Sequence, residues 1–257
     1  MGIKVASIQM TIGDETKSER IARAEALLDQ ARGAELVVLP EIWNIGYFAF
    51  DLYEKESERI DGETASRMAA KAREHSFYLH MGSMVEREGD KLYNTSLLFD
   101  PQGKVAARYR KIHLYGYGSK ESQILSRGNE VVVVHTRLAK IGLCTCYDLR
   151  FPELFRAMLD QGAELFLVAS GWPYPRLEHW LMFNRIRAIE NSAFLASSNG
   201  VGVNRGVRFC GHSMIVDPWG VILASGGDEE CILRTEIDID QVARVRREFP
   251  AVSDRVL

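Results

Sequence analysis

Three short apolar runs constrain this chain most: Leu36–Leu39, Ile141–Cys144 and Leu165–Ala169. Runs of this length with no polar alternation read as strands buried on both faces. Strands of that kind belong to sheets covered by helices, and the neighbouring segments supply the helices. Ile3–Met10 alternates as a first strand. Ile21, Ala24, Leu27, Leu28 and Ala31 then recur at helical spacing and stop at Gly33, a C-cap. The opening is therefore a strand–helix–strand unit with a parallel pair. Further helices are predicted over Gly62–His75, Pro152–Gln161, Leu177–Asn191 and Ile239–Phe249. Strands Phe77–Val85, Leu92–Phe99 and Val105–Tyr109 are joined by turns at Glu86–Lys91 and Asp100–Gly103, and Glu130–Thr136 pairs with Leu138–Cys144. Phe194–Ser198, Met214–Val216, Val221–Ala224 and Cys231–Ile237 complete the strands. Helices over the outer faces of two packed sheets satisfy every apolar side. The expected fold is α/β, a four-layer α-β-β-α sandwich of two packed mixed sheets, in one domain spanning residues 1–257.

Several function classes drop out on composition. A net charge of −3 across 257 residues leaves no clustered basic face for nucleic acid. No apolar run approaches the ~18 residues of a membrane span. Met1–Lys4 leads into a strand without the apolar core of a signal peptide. Four cysteines (Cys144, Cys146, Cys210, Cys231) make no disulfide framework in a chain this long and fit free thiols in a reducing, cytoplasmic setting. Neither a His-Glu-x-x-His nor a Cys-x-x-Cys pair occurs, so no metal or other cofactor is expected.

Three chemically capable residues stand immediately after buried strands. Cys146 lies where the run Ile141–Cys144 breaks toward a helix opened by Pro152. There a side chain is held on rigid backbone, faces a pocket, and has backbone N–H groups nearby, a good place for a thiolate nucleophile. The plain alternative is a small buried residue. Cys144, two residues earlier, points the same way but deeper, and reads as core. Glu41 follows Pro40 at the end of the second strand, where a carboxylate is costly unless paired or used. The aromatic stretch Ile42–Phe50 after it resembles a pocket wall, although it could serve an oligomer contact. Lys111 ends the strand Val105–Tyr109, and most such lysines are surface charge. The long loop Tyr115–Asn129 is of a length that tends to be functional. The sequon Asn94-Thr95-Ser96 falls in a predicted strand and is set aside.

Leu-Pro-Glu41, Arg-Lys111-Ile-His-Leu and Cys146-Tyr-Asp-Leu-Arg-Phe-Pro-Glu, in this order, resemble the three motifs of the nitrilase superfamily of carbon–nitrogen hydrolases. The resemblance runs over essentially the whole chain, including the Asp217-Pro-Trp-Gly turn and Arg187-Ala-Ile-Glu-Asn. Gly211-His-Ser and Ser-Gly-Trp172-Pro are closest to the ω-amidase and related small-amide branch. It implies Cys146 as nucleophile, Glu41 as general base and Lys111 with the Tyr147 N–H facing the oxyanion. Lys111 would also favour the Cys146 thiolate. The superfamily's second glutamate falls at Glu121, which would orient Lys111 and the substrate. Trp172, Asn44 and Tyr47 are candidate substrate contacts, with packing as their alternative role. Arg176, Arg205 and Arg208 are candidates to meet a substrate carboxylate. The implied activity is thiol-dependent hydrolysis of small linear amides through a cysteinyl thioester. The alternatives are an N-carbamoyl amino acid hydrolase or nitrilase of the same family and, from another class, a catalytically silent scaffold. A homodimer or larger homo-oligomer is implied, with Trp43–Tyr53 and Phe249–Leu257 as contact candidates.

Overall fold

The computed structural model describes residues 2–256. The first half runs β1 (Gly2–Gln9), α1 (Lys17–Gln30), β2 (Leu36–Val38), α2 (Tyr53–Glu56), α3 (Glu63–His75), β3 (Tyr78–Glu88), β4 (Lys91–Phe99) and β5 (Val105–Arg110). Then come α4 (Glu121–Ile124), β6 (Val133–His135), β7 (Lys140–Thr145), α5 (Pro152–Asp160), β8 (Leu165–Ser170), α6 (Leu177–Asn191) and β9 (Phe194–Asn199). A small hairpin, β10 (Val203–Asn204) with β11 (Val207–Arg208), precedes β12 (Met214–Val216), β13 (Ile222–Ser225), β14 (Cys231–Asp238) and α7 (Asp240–Glu248).

Two six-stranded sheets form, in the orders β14-β1-β2-β3-β4-β5 and β13-β12-β9-β8-β7-β6. Each has a parallel centre (β1-β2-β3 and β7-β8-β9) and antiparallel flanks. Alternation along the strands sends one set of side chains between the sheets and the other outward. Val5, Leu36, Val38, Leu143, Leu165, Leu167 and Ile215 fill the space between the sheets. Ile8, Val37, Leu79 and Met81 pack outward against Ile21, Ala24 and Leu28 of α1 and Met68 of α3. Phe166, Val168 and Leu195 pack against Phe155 and Met158 of α5 and Trp180 of α6. These are the four layers expected from the sequence.

Element ends show the local rules at work. The helix α1 starts at Lys17, one turn earlier than the apolar spacing suggests, because Thr16 and Glu19 form a reciprocal capping box. Pro152 opens α5 at its first turn as predicted. Asp217 accepts the N–H groups of Trp219 and Val221 at 2.9 Å each, closing the turn from β12 to β13.

The aromatic stretch after Glu41 is folded into the chain itself. Trp43, Ile45, Tyr47 and Tyr53 are buried, and the Trp43 indole donates to the Met81 carbonyl at 2.8 Å. These side chains are therefore not available as an oligomer contact, whereas Phe249 is 57% exposed.

Two close approaches aim the end of β2. Gly82 sits at φ +72°, and a Cβ there would lie 1.8 Å from the Pro40 carbonyl oxygen, so only glycine lets β3 come this near. Ser83 N–H then donates to that carbonyl at 3.1 Å, and its hydroxyl accepts from Ile42 N–H at 3.1 Å. The Glu41 N–H reaches the Ser170 carbonyl at the end of β8 at 3.2 Å, joining the two sheets where β2 and β8 end.

Candidate active site

Glu41, Lys111 and Glu121 meet below the ends of β2, β5 and β8, and all three are fully buried. Lys111 Nζ donates to Glu41 Oε1 at 2.8 Å and to Glu121 Oε1 and Oε2 at 2.9 and 3.0 Å. Glu41 Oε2 accepts the Gly171 N–H at 2.9 Å. Glu121, the first residue of α4, also accepts the Tyr115 N–H at 2.7 Å and the Tyr47 hydroxyl at 3.1 Å. Buried charge is tolerable only when paired and hydrogen-bonded, and this cluster is both.

Cys146 stands at the exit of β7 with φ 47°, a left-handed conformation that is strained for a residue with a Cβ. The turn that follows is held from several sides. Asp148, fully buried, accepts the Thr145 N–H at 2.9 Å, the Tyr109 hydroxyl at 2.6 Å and the His113 N–H at 3.1 Å, and its Oδ1 lies 2.7 Å from His113 Nδ1. The His113 ring stacks on Phe151 with centroids 3.8 Å apart. From α6, Arg187 Nε donates to the Leu149 carbonyl at 2.9 Å. Asp148 therefore ties the segment just after Lys111 to the turn carrying Cys146. Ile42, next to Glu41, is also left-handed at φ 41°, so strained backbone flanks the cluster on two sides.

Burial raises Glu41 above the ordinary glutamate range; Lys111 opposes the shift and Glu121 adds to it. For Lys111, burial alone would lower the pKa, but the Glu121 and Glu41 carboxylates outweigh it and hold the ammonium charged. Burial, and then the Glu41 carboxylate, push the Cys146 thiol well above its usual value, with Lys111 pulling only partly back. Lys111 thus favours the thiolate, as the sequence led one to expect, but burial and the Glu41 carboxylate outweigh it.

Cys146 opens into a small pocket whose empty space, mouth included, is about 280 Å³. Its walls are Tyr47, Tyr115, Tyr147, Gly171, Trp172 and Pro173, with Arg150 and Arg176. Of the sequence candidates, Tyr47, Tyr147 and Trp172 thus line the pocket. Asn44 does not: it is buried, and its amide donates to Thr64 Oγ1 at 3.1 Å, so it packs the aromatic stretch. Arg205 and Arg208 are also elsewhere, ion-paired with Asp51 at 2.7 Å and Asp228 at 3.4 Å. Cys144 is fully buried, with Sγ 3.6 Å from the Leu167 carbonyl oxygen.

Two residues of the site escaped the sequence reading. Asn94, set aside with its sequon, donates to Glu41 Oε1 at 2.8 Å and to Glu121 Oε1 at 2.9 Å, cross-linking the two carboxylates. The available signal was the run of three polar residues, Asn94-Thr95-Ser96, between the apolar ends of the strand Leu92–Phe99. Arg150 was read only as a letter of the cysteine motif. Away from the pocket, Asp29, Glu74 and His75 bring potential metal-ligand atoms together, but Lys71 already pairs with Asp29 and Glu74 at 2.6 and 3.0 Å.

Comparison with known proteins gives a consistent picture. The model of the carbon–nitrogen hydrolase family matches residues 4–247. A 2-oxoglutaramate amidase of Paenarthrobacter nicotinovorans is 37% identical, over 98% of this chain and 89% of its own length. The human omega-amidase NIT2 is 34% identical, over 96% of this chain and 92% of its own. Among solved structures, a CN-hydrolase superfamily protein of Xanthomonas campestris with an arsenic adduct in its active site superposes with a TM-score of 0.93. It is 28% identical, and the match covers 100% of this chain and 98% of the other.

Proposed function

Because the chain belongs to the carbon–nitrogen hydrolase family, we propose that it hydrolyses the amide of small linear ω-amides, releasing ammonia and a carboxylic acid through a cysteinyl thioester. The observation carrying this reading is the buried Glu41–Lys111–Glu121 cluster beside a thiol at the floor of a small pocket. The names of the 2-oxoglutaramate amidase and omega-amidase relatives support the substrate class.

In this proposal Cys146 Sγ attacks the amide carbon as Glu41 takes the thiol proton. A thiol that burial holds well above its usual pKa needs that base at the moment of attack. The carbonyl oxygen gains charge against Lys111 Nζ and the Tyr147 N–H, donors set before the reaction begins. Collapse of the tetrahedral adduct breaks the C–N bond, and Glu41 returns its proton to the departing ammonia. Water, deprotonated by Glu41, then attacks the thioester; the C–S bond breaks and the thiol is restored. Glu121 holds Lys111 in place through both of its oxygens. The pocket is small and walled largely by aromatic rings, which suits a short substrate.

The test is ammonia release from 2-oxoglutaramate, succinamate, glutaramate, glutamine, an N-carbamoyl amino acid and an aliphatic nitrile. Turnover of the monoamides is expected, with kcat/KM falling on the acid side at a pH above the ordinary glutamate range, as Glu41 takes up its proton. Turnover of the carbamoyl compound or the nitrile alone would replace the substrate assignment and keep the mechanism. No turnover, with a thiol inert to alkylation, would leave a silent scaffold.

The proposal extends to self-association. Met182, Ile186 and Ile189 of α6 are exposed, as are Trp219 and Phe249, whose rings lie 6.1 Å apart. An apolar edge of this kind suits a second copy of the chain, and sedimentation as monomer alone would sink that part. Among the described residues no helix is long and apolar enough to cross a membrane, and the four cysteines are free, which fits a reducing compartment.

A further inference from the structure

A thiol that attacks an amide carries negative charge on sulfur as it does so, and again when the thioester breaks and the sulfur leaves. The donors of the glutamate cluster beside Cys146 are all engaged within it. The three protons of Lys111 Nζ meet Glu41 Oε1 at 2.8 Å and Glu121 Oε1 and Oε2 at 2.9 and 3.0 Å. The Asn94 amide gives both N–H groups to the same two carboxylates, and the Gly171 N–H goes to Glu41 Oε2. Ser170, the last residue of β8, differs from all of these. It is fully buried, and its hydroxyl has no hydrogen-bond partner. A buried hydroxyl without a partner costs stability, so its presence needs a reason. The strand register shows what it faces. In the parallel pair β7–β8, Cys144 lies opposite Val168 and Thr145 opposite Ala169, so the next pair along is Cys146 and Ser170. By alternation Ser170 shares the face of Phe166 and Val168, which packs with Cys144 and Cys146. The hydroxyl lies near enough to the sulfur to favour the thiolate against burial. Asn199 of β9, on its other side, turns its amide to the Trp172 N–H and the Gly211 carbonyl instead, at 2.8 Å each.

We propose that the Ser170 hydroxyl is a further catalytic group, the donor that meets the Cys146 sulfur whenever that sulfur bears charge. This rests on the amide-hydrolase reading and adds a residue to its machinery. The hydroxyl gives a hydrogen bond and keeps its proton. The thiol proton still goes to Glu41, and no bond to the Ser170 oxygen is made or broken. Because the hydroxyl makes no bond beforehand, its interaction with anionic sulfur lowers the barrier without first stabilising the ground state. Lys111 cannot donate in its place: turning one of its protons to sulfur would strip a buried carboxylate of its partner. The Ser170 backbone is fixed meanwhile. Its carbonyl accepts the Glu41 N–H at 3.2 Å and the Gly200 N–H at 3.3 Å, so base and donor are set relative to each other by one residue. Only the hydroxyl proton has to swing to follow the sulfur through the cycle.

Ser170→Ala removes the hydroxyl and little else. The first readout needs no substrate: the rate at which iodoacetamide alkylates Cys146 at about pH 8, below the range where the thiol titrates fully. That rate should fall about 3- to 10-fold in Ser170→Ala, since a thiolate without its donor is scarcer and its greater nucleophilicity offsets only part of the loss. The charged groups Glu41, Lys111, Glu121 and Arg150, and the phenols of Tyr47, Tyr53 and Tyr115, surround the sulfur in both proteins and so do not account for a difference. The melting temperature is the second readout. Losing a hydroxyl that bonds to nothing in the resting protein should leave it unchanged or raise it. With glutaramate, kcat should drop about 10- to 100-fold while KM barely moves. An unmoved alkylation rate would overturn the proposal even if turnover fell, because the hydroxyl would then act on the substrate and not on the sulfur. A lower melting temperature would overturn it too, by making the hydroxyl a structural one. Slower alkylation without wild-type turnover of any amide would keep the donor and sink the hydrolase reading. Wild-type turnover with equal alkylation of the two proteins would do the reverse.

Discussion

Cys146→Ala is expected to lose ammonia release by on the order of 10⁴-fold or more, because the thioester route disappears altogether. The fold should survive. The side chain is buried beside Ser170 and Trp172, and the turn around it is held by Asp148 and Arg187 through contacts that do not involve the sulfur. Thermal unfolding should shift by only a few degrees, as for a small core truncation. Acid-quenched wild type, sampled during turnover, should carry the acyl group of the substrate on the peptide containing Cys146. An alanine variant keeping a tenth of wild-type turnover would mean that some other group attacks. Cys144 could not take over: its sulfur points into β8, and burial pushes its pKa well above the ordinary thiol range.

Lys111→Met is expected to damage stability and rate together. It keeps the side-chain bulk while leaving Glu41 and Glu121 facing one another, both fully buried, with Asn94, Tyr47, the Cys146 thiol and two backbone N–H groups to satisfy them. Removing one member of a buried ion cluster costs about 3–5 kcal/mol, on the order of 10 °C in a chain of this size. Loss of the oxyanion donor should lower kcat by about 100-fold or more in the protein that remains folded. Adding Glu121→Gln to Lys111→Met removes one of the two uncompensated charges, so stability should partly return while turnover does not. The double-mutant cycle measures that coupling directly. If the single variant melts like wild type, the ammonium is not what holds the two carboxylates together.

What was legible in the sequence follows from what a one-dimensional pattern can carry. The continuous apolar runs gave away β2, β7 and β8 because strands buried on both faces leave no polar alternation. Glu41, Lys111 and Cys146 stood out because each follows a strand, a place where chain direction and burial change together. That they converge depends on β2 and β8 touching at their ends through the Glu41 N–H and Ser170, which no local pattern encodes. Asn94 was misjudged for the same reason: in sequence it is a sequon in a strand, and only the sheet order places its amide between two carboxylates. Asn44 erred in the opposite direction, since proximity to Glu41 along the chain does not decide which face of the stretch a side chain takes. The upward push on the Cys146 thiol was also out of reach, because burial competes there with Lys111 and only distances and enclosure decide between them.

The surplus of carboxylate at the pocket floor bears on how a catalytic cycle would end. An arriving amide is neutral and meets Glu41 and Glu121 without penalty; hydrolysis turns it into an anion on the same spot. The single Lys111 ammonium already serves both glutamates, so beyond its divided charge and the Tyr147 N–H little is left to balance the new charge. Chemistry would thus convert a well-seated guest into one repelled from its own berth, and the dicarboxylate acid should be a poor inhibitor of the enzyme that makes it. Turnover would then be protected from its own accumulation without a moving lid.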